Sequence, residues 1–469
     1  MIEWLAAHPW QTAIAAPFAG AALASVAPHA RLSWALALLV LSGAAVLALI
    51  SMLGALAPHP ADGASTFSAP LILAASVLCF IAGGGALRAY SAHAAPFAMA
   101  LALCAAGGWT FALLARDWIG FALGVETAWL AAAGLLALAN ARAGALNGAL
   151  RMIAHGGAAA ALLLVGAAFI ARAAGSVEMT ALSSVTDAQL ATGGLALVLL
   201  ALAAKAGLAP LHAWVGAALG RAGAFPALLI GVVALTGALA AIVRVGALAA
   251  AAPPLAASIE AMLAGLGALS IAIGSVQAMG AANLHRLAGY AFASQAGCVL
   301  LSVSLGSPAG FASALVQMFA LTAAMLALLG AAAATRGATL SALDGLGRRH
   351  PLAGVAVTAG ALSLMGAPLT VGFLGRWRLI EAAVGAGWWW VAGIALLASL
   401  AAVFYGGRLI ERVYFRRATR VADIDKDPWR HLIVPVLAAA VVAIGLGVEP
   451  SSLLEISARA ATHIFGGAP

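Results

Sequence analysis

The sequence contains few charged residues. Asp, Glu, Lys and Arg together make up 8% of its 469 residues, whereas hydrophobic residues make up 64%. A typical soluble domain carries about 25% charged residues, so this composition excludes a soluble core-and-surface fold. We therefore expect a polytopic membrane protein whose first partner is the lipid bilayer.

Cysteine is scarce, and motifs that bind cofactors are missing. Cys79, Cys104 and Cys298 stand singly, with no CxxC pair and no His/Cys cluster, so disulfide, zinc and iron–sulfur sites lack ligands. There is no GxGxxG, no P-loop and no basic-aromatic pattern typical of nucleic-acid binding. We expect no cofactor, no metal, no nucleic-acid partner and no active-site chemistry in this chain itself.

Long apolar runs dominate what is present. A helix needs roughly 20 apolar residues to cross about 30 Å of hydrocarbon, and fourteen segments of this kind occur. The period-2 alternation of membrane barrels is absent, so the segments predict an all-α membrane protein. Their expected bounds are 11–27, 33–56, 69–87, 95–115, 118–139, 153–171, 191–214, 225–243, 255–280, 287–305, 310–334, 352–375, 386–406 and 431–448.

Basic residues are distributed unequally between alternate loops. One set of loops carries sixteen Lys and Arg, and the other carries only Arg116, Arg172, Arg244, Arg376, Arg378 and Arg459. The positive-inside rule then places both termini on the non-cytoplasmic side of a bacterial-type cytoplasmic membrane. The most basic loop, 408–430, is interpreted as a topology anchor or as a docking surface for another protein.

Lys205 is the only lysine inside an apolar segment. A charged side chain at mid-membrane costs at least about 2.5–3.5 kcal/mol, so it needs a partner or a wet cavity. Pro210 follows five residues later and is expected to break the helix. Glu126, flanked by apolar residues, is the natural partner of Lys205. The pair is either a static salt bridge or a proton switch, because separating the two charges favours proton loss by the amine.

A second charge follows a second mid-segment proline. Arg376 lies shortly after Pro368 in ALSLMGAPLTVGFLGRW, much as Lys205 lies near Pro210. The two interrupted segments, the seventh and the twelfth, stand five apart. Segments 4–8 and 9–13 are therefore interpreted as inverted five-helix repeats, in which broken helices expose ion sites. The alternative is that each proline only kinks a packed helix.

Four motifs in order resemble those of a known family. LALAAKAGLAPLHAW resembles the lysine-bearing broken helix of the antiporter-like membrane subunits of respiratory complex I and of Mrp cation/proton antiporters. FALGVETAWL, ANLHRLAGYAFASQAG and ALSLMGAPLTVGFLGRW are similar to further segments of that family. The match runs over roughly 95–410, while the first three segments and the last one agree only in number and hydrophobicity.

The resemblance implies one transmembrane domain, 1–469, with repeats at 94–245 and 253–412 and peripheral helices at 1–93 and 413–469. It also implies a hydrated polar axis. Its expected proton-translocation residues are Glu126, Lys205, His212, Arg376 and His285, with Thr236, Gln295 and Gln317 along the axis and breaks at Pro210 and Pro368. His212 is interpreted as a proton relay or as an ordinary hydrogen-bonded histidine.

The chain departs from the family pattern along this axis. Thr236 and Gln317 stand where relatives usually carry Lys or His, and Arg376 replaces a terminal Lys or Glu. A guanidinium stays protonated, so Arg376 serves as a fixed charge and not as a proton carrier.

Three functions remain open from the sequence. The leading one is a proton-translocating subunit of a complex I-like NADH:quinone oxidoreductase or hydrogenase-type complex, with flavin, iron–sulfur clusters and quinone only in partner subunits. The others are an Mrp-type Na⁺/H⁺ antiporter subunit and a degenerate scaffold subunit that no longer conducts. An autonomous transporter would need more polar groups at the membrane midplane than this chain offers.

Overall fold

The computed structural model describes residues 8–54, 62–84, 90–91, 93–138, 144–220, 222–334, 339–417 and 426–465. Within these ranges the chain is helical and contains no β-strand. The helices of the first half are α1 Pro9–Ser25, α2 Ala30–Met52, α3 Gly63–Gly83, α4 Ala94–Leu114, α5 Trp118–Leu138, α6 Ala145–Ala174, α7 Ala188–Lys205, α8 Ala213–Leu219 and α9 Ala224–Ala250.

The second half continues in the same way. Its helices are α10 Pro253–Gly280, α11 Leu284–Val303, α12 Pro308–Ala334, α13 Pro351–Met365, α14 Val371–Gly385, α15 Trp389–Tyr414, α16 Lys426–Val448 and α17 Ser451–Ile464. Eleven of the described helices are long and apolar enough to cross a membrane. The all-α membrane fold is thereby confirmed. The count of fourteen crossings and the inverted repeats stay predictions.

Small residues let neighbouring helices pack closely in pairs. Gly108 of α4 faces Gly124 of α5, and Gly166 of α6 faces Gly194 of α7, in each case at a distance where a β-carbon would meet the opposite backbone. Gly267 of α10 faces the α11 backbone in the same manner. Membrane helices associate largely through such close packing of small residues, because lipid offers no hydrophobic driving force.

Two helices form the centre of the molecule. The apolar stretch of α9 is wholly buried and that of α12 is 94% buried, whereas only 28% of the corresponding stretches of α2 and α6 is buried. Since α9 carries Thr236 and α12 carries Gln317, both expected axis residues lie in the interior.

The structure corrects the placement of Arg244, which we expected in a loop. Helix α9 continues to Ala250, so Arg244 lies inside the helix with only 3% of its surface exposed. Its Nε is 3.0 Å from Asp62 Oδ2, and its two terminal nitrogens donate to the carbonyls of Ala112 and Ala115. These acceptors satisfy the guanidinium, which is why it need not reach the membrane surface.

The sequence did not predict α17. This 14-residue helix follows α16 and buries one stripe of side chains at helical spacing, formed by Leu453, Ser457, Ala460, Ala461 and Ile464. It is too short and too polar to have been recognised by a search for membrane-spanning segments.

Candidate functional site

The charged pair lies where α5, α6 and α7 meet. Lys205 is the last residue of α7 and is fully buried, and its Nζ lies 3.0 Å from Oε1 and 3.2 Å from Oε2 of Glu126 on α5. The Glu126 side chain is 23% exposed. A buried ammonium is costly unless an opposite charge compensates for it. The sequence indicated Glu126 as the compensating charge, and the two side chains are in contact in the structure.

Two further groups complete the surroundings of the ammonium. Nζ lies 4.6 Å from the ring centroid of Trp129, one turn beyond Glu126 on α5, and 3.5 Å from the carbonyl oxygen of Gly156 on α6. The indole is fixed because its Nε1 donates to the carbonyl of Met152 at 3.0 Å. A β-carbon at position 156 would overlap this indole, so glycine is required for the close approach of α6. The carboxylate of Glu126, the carbonyl of Gly156 and the face of the Trp129 ring together hold the amine in place.

The chain interrupts its helix directly after Lys205. Gly207 has a φ of +65°, its N–H donates to Ala204 at 3.2 Å, and the N–H of Leu208 donates to Ala203 at 2.9 Å. This is the Schellman arrangement, in which a left-handed glycine ends a helix. Pro210 follows within the interruption, and α8 begins at Ala213.

Trp214 of α8 covers the C-terminal end of α7. Its Nε1 donates to the carbonyl oxygen of Ala204 at 2.8 Å, and its ring meets that of Trp129 edge-on with centroids 4.8 Å apart. Because Trp129 also lies against the Lys205 ammonium, the segment beyond the break is mechanically connected to the charged pair.

The second interruption has the same construction. Gly366 has a φ of +70°, its N–H donates to Ser363 at 3.1 Å, and the N–H of Ala367 donates to Leu362 at 2.9 Å. Helix α13 therefore ends in a second Schellman motif, and α14 begins at Val371 beyond Pro368. In both interruptions a glycine two or three residues before a proline ends the helix.

Arg376 of α14 reaches back to this broken end. Its Nη1 donates to the carbonyl of Met365 and, at 2.9 Å, to Ser399 Oγ, while Nη2 donates to the carbonyl of Leu364 and to Gln295 Oε1. The residue is 3% exposed. The guanidinium thus lies among four neutral oxygens.

Gln295 joins Arg376 to further polar side chains. Its Nε2 donates to the hydroxyl of Tyr405 at 2.9 Å, and its Oε1 also accepts a long contact of 3.5 Å from Gln317 Nε2. Arg376, Gln295 and Gln317 therefore form one cluster, which the sequence placed on a common axis without indicating the contacts.

Thr236 has a partner that the sequence analysis missed. The hydroxyl of Thr322 on α12 lies 3.3 Å from that of Thr236 on α9 and also donates to the carbonyl of Met318 at 2.8 Å. Thr236 lies two residues beyond the end of a turn of π-helix, Leu229–Ala234. Such turns are frequent at functional sites. Nothing in the sequence distinguished Thr322 from the many threonines that only bond within their own helix.

The two histidines lie apart from the charged pair. His212 Nε2 is 2.6 Å from Gln277 Oε1 on α10, and its ring meets Tyr290 edge-on at a centroid distance of 6.2 Å. His285 is buried in the first turn of α11. Its backbone N–H donates at 2.9 Å to Oδ1 of Asn283, which caps the helix. Among the side-chain hydrogen bonds of the described residues, none links Glu126 or Lys205 to the Arg376 cluster.

Glu126 borders a cavity that opens sideways. The cavity has a volume of about 360 Å³ between α5 and α6, and Glu126 is the only ionisable group among the described residues that line it. Its other walls include Ile119, Leu123 and Leu164, each more than half exposed on the outer face of the chain. The carboxylate can therefore be approached from outside the chain as well as from Lys205.

A larger cavity lies elsewhere, at the edge of the bundle. It has a volume of about 560 Å³ between α12, α14 and α17, and its lining includes the Arg378–Glu381 ion pair. None of the residues expected to move protons lines it.

Comparison with known proteins agrees with this architecture. Residues 115–402 match the family described as NADH:quinone oxidoreductase/Mrp antiporter, TM. The chain is 32% identical over 362 residues to NADH-quinone oxidoreductase subunit N 1 of Solidesulfovibrio magneticus, covering 76% of each protein. It is 31% identical over 335 residues to subunit N of Cereibacter sphaeroides, covering 71% of this chain and 72% of the relative.

Solved structures show the same fold. A chain of respiratory complex I from Thermus thermophilus superimposes with a TM-score of 0.79 at 27% identity, over 94% of this chain and 98% of the other. A chain of the Mrp complex from Dietzia sp. shares the fold with a TM-score of 0.84 at 22% identity, over 97% of each chain. The protein belongs to the NADH:quinone oxidoreductase/Mrp antiporter family of transmembrane proteins.

Proposed function

We propose that this chain is a proton-translocating membrane subunit of a complex I-like NADH:quinone oxidoreductase or a related hydrogenase-type complex. The observation that carries the proposal is the fully buried Lys205 ammonium held 3.0 Å from Glu126 at the end of a broken helix. The names of the relatives, subunits N of NADH-quinone oxidoreductases, support this assignment. Electron transfer through flavin, iron–sulfur clusters and quinone then takes place in partner subunits.

The pair can act as a switch because its two states differ in proton affinity. While Glu126 stays beside the amine, the charged ammonium is stabilised and Lys205 retains its proton. When the carboxylate moves away, burial disfavours the ammonium, and Nζ releases its proton to water or to a neighbouring polar group. Return of the carboxylate restores the affinity for a new proton.

The surroundings of the pair offer a way to move its two members apart. Lys205 terminates α7, and the segment beyond Gly207 contacts it through Trp214 and Trp129. A displacement of α8 would therefore shift the indole that holds the amine. On the other side, Glu126 faces the lateral cavity, where a charge on a neighbouring subunit could attract the carboxylate.

The wider assignment includes the topology and the axis. We propose fourteen crossings, two inverted repeats and both termini on the non-cytoplasmic side, with His212, His285 and the Arg376 cluster along the path of the protons. The unequal distribution of basic residues and the two similar helix breaks support it.

The identity of one residue favours the scaffold alternative. The family resemblance implies that Arg376 stands at the terminal position of the expected axis, and a guanidinium does not release its proton at physiological pH. A chain with this residue transports protons only if the part of the axis around Glu126 and Lys205 is enough to carry them. If it does not, the chain would fill its place in the complex and seal the membrane without conducting.

Substitution of the pair in the assembled complex separates the two functions. Lys205→Ala and Glu126→Gln should each lower the number of protons translocated per NADH oxidised, because neither variant can switch the amine's proton affinity. The measurement is acidification of proteoliposomes during NADH oxidation, after size-exclusion chromatography has established that the complex is intact.

Glu381→Gln provides the control, because Glu381 is an exposed acidic residue of α14 whose carboxylate pairs with Arg378 and not with Lys205. It should leave the proton stoichiometry unchanged. If Lys205→Ala and Glu126→Gln also translocate protons at the wild-type ratio, the switch is refuted and the scaffold function is favoured.

A further inference from the structure

The second helix break surrounds a cation with oxygen atoms. The guanidinium of Arg376 contacts the carbonyls of Leu364 and Met365, Gln295 Oε1 and Ser399 Oγ. The two carbonyls belong to the last turn of α13, where the helix dipole concentrates partial negative charge. All four acceptors are neutral groups.

This arrangement differs from that of the other two buried cations in the described ranges. Lys205 is paired with Glu126, and Arg244 with Asp62. Arg376 is as deeply buried as Arg244, but no ion pair with a carboxylate is found for it within the described ranges. Its charge is balanced only by the end of a helix and by the oxygens of two side chains.

A further oxygen lies at the same place without a partner. Gln317 is 3% exposed, and its Oε1 accepts no hydrogen bond from any described residue. This oxygen lies against Gly375, the residue next to Arg376, and a β-carbon at position 375 would overlap it. The cluster thus offers carbonyl, amide and hydroxyl oxygens and little competing positive charge apart from the guanidinium.

Such a set of oxygens is chemically suited to a metal cation. Hard cations bind to backbone carbonyls and to amide and hydroxyl oxygens, and unwound helix ends in transporters supply such ligands to monovalent cations. We propose that the second helix break is a monovalent-cation site of the Na⁺ type and that Arg376 fills it permanently with its own guanidinium. The arginine acts as a tethered cation.

The permanent cation has a structural consequence. The carbonyls at the end of α13 stay neutralised whatever the salt, so this break should not open or close in response to Na⁺. The first break is different, since the neutral indole of Trp214 covers the carbonyl of Ala204. The inference does not depend on proton translocation by the Glu126–Lys205 pair.

Removal of the guanidinium should expose the site. We expect Arg376→Ala and Arg376→Met, in the full-length chain purified in mild detergent, to melt at least ~3 °C higher in NaCl than in choline chloride, because Na⁺ binds the folded state. The wild type should show no difference between the two salts. Saturable binding of radioactive Na⁺ to the variants, and none to the wild type, provides the second measurement.

Three variants test the geometry. Arg376→Lys keeps a tethered positive charge and should stay insensitive to Na⁺, and Arg378→Ala removes an exposed arginine from the same helix and should also stay insensitive. Adding Gln295→Ala to Arg376→Ala removes one oxygen of the site and should abolish the Na⁺ effect.

Equal melting of both Arg376 variants in sodium, potassium and choline salts would refute the site. So would their failure to fold even in NaCl, because a bound cation should then replace the guanidinium. Neither measurement records proton transport, so the result is separate from the test of the proposed function.

Discussion

Each of the three buried Lys and Arg residues in the described part of the chain meets different acceptors. Lys205 has a carboxylate, a carbonyl and an aromatic face, and Arg244 has a carboxylate and two carbonyls at the end of α4. The acceptors found for Arg376 within the described ranges are all neutral oxygens. Since an uncompensated charge is costly in a membrane protein's interior, these sets of acceptors determine where each cation is tolerated.

Arg244 and Asp62 should be coupled strongly in stability. Arg244→Met removes the cation and leaves Asp62 partly buried without it, so we expect a loss of about 3–5 kcal/mol in unfolding free energy. Asp62 also caps α3 through Ser65, at 2.9 Å, so its hydrogen-bonding role persists. Denaturant unfolding of the purified chain, followed by tryptophan fluorescence, measures the change.

A double-mutant cycle completes that test. Arg244→Met combined with Asp62→Asn should be more stable than Arg244→Met alone, because the second substitution removes the unpaired carboxylate. Additive effects of the two substitutions would show that the ion pair contributes little and that only packing was lost.

The sequence indicated some of these contacts and not others. The cost of an intramembrane charge was enough to predict that Glu126 and Lys205 would meet, and they do. The bond of His212 to Gln277 joins residues 65 positions apart, one immediately before α8 and the other within α10. Such partners depend on how α8 and α10 pack, and no local pattern encodes that packing.

At the scale of elements, the two helix breaks are the features that organise the site. Both end a helix with a left-handed glycine and the same pair of backbone hydrogen bonds. The end of α14 uses this motif again, at Gly387, with hydrogen bonds of 2.8 and 3.0 Å from Trp388 and Gly387. Gly387 has open space around it, whereas Gly207 lies against Val215 of α8.

This difference allows backbone strain to be separated from packing. Gly387→Ala should cost about 1–2 kcal/mol, because alanine disfavours the left-handed conformation. Gly207→Ala should cost a further 1–3 kcal/mol or so, since its β-carbon would overlap Val215 and displace α8. Thermal melting in detergent compares the two, and equal losses would show that α8 yields to the new methyl group without cost.

Element positions were predictable to the extent that hydrophobicity determines them. Every expected segment overlaps a described helix, because long apolar stretches have no alternative structure in lipid. The amphipathic α17 and the π-helical turn of α9 were missed, since α17 is short and polar and the residues of the turn, Leu229–Ala234, are as apolar as the rest of their helix.

For the whole molecule, the distribution of basic residues is the feature from which we infer the orientation of the chain in the membrane. The packing of α9 and α12 at the centre is the same in either orientation, as is the contact between Glu126 and Lys205. The positive-inside rule, in contrast, predicts that the basic segment after α15 lies in the cytoplasm. If Lys205 exchanges protons as proposed, this orientation decides from which side of the membrane the protons arrive.

Cysteine labelling in cells can test this orientation. In a background with Cys79, Cys104 and Cys298 changed to serine, we expect Ser183→Cys to react with a membrane-impermeant maleimide applied from outside, and Arg417→Cys to react only after the cytoplasmic membrane is opened. Both positions are exposed, so reactivity reports the side of the membrane and not burial. The expected pattern follows because the negatively charged lipids that attract arginine lie on the cytoplasmic side of the membrane. The reverse pattern would place the basic segment outside and overturn the topology.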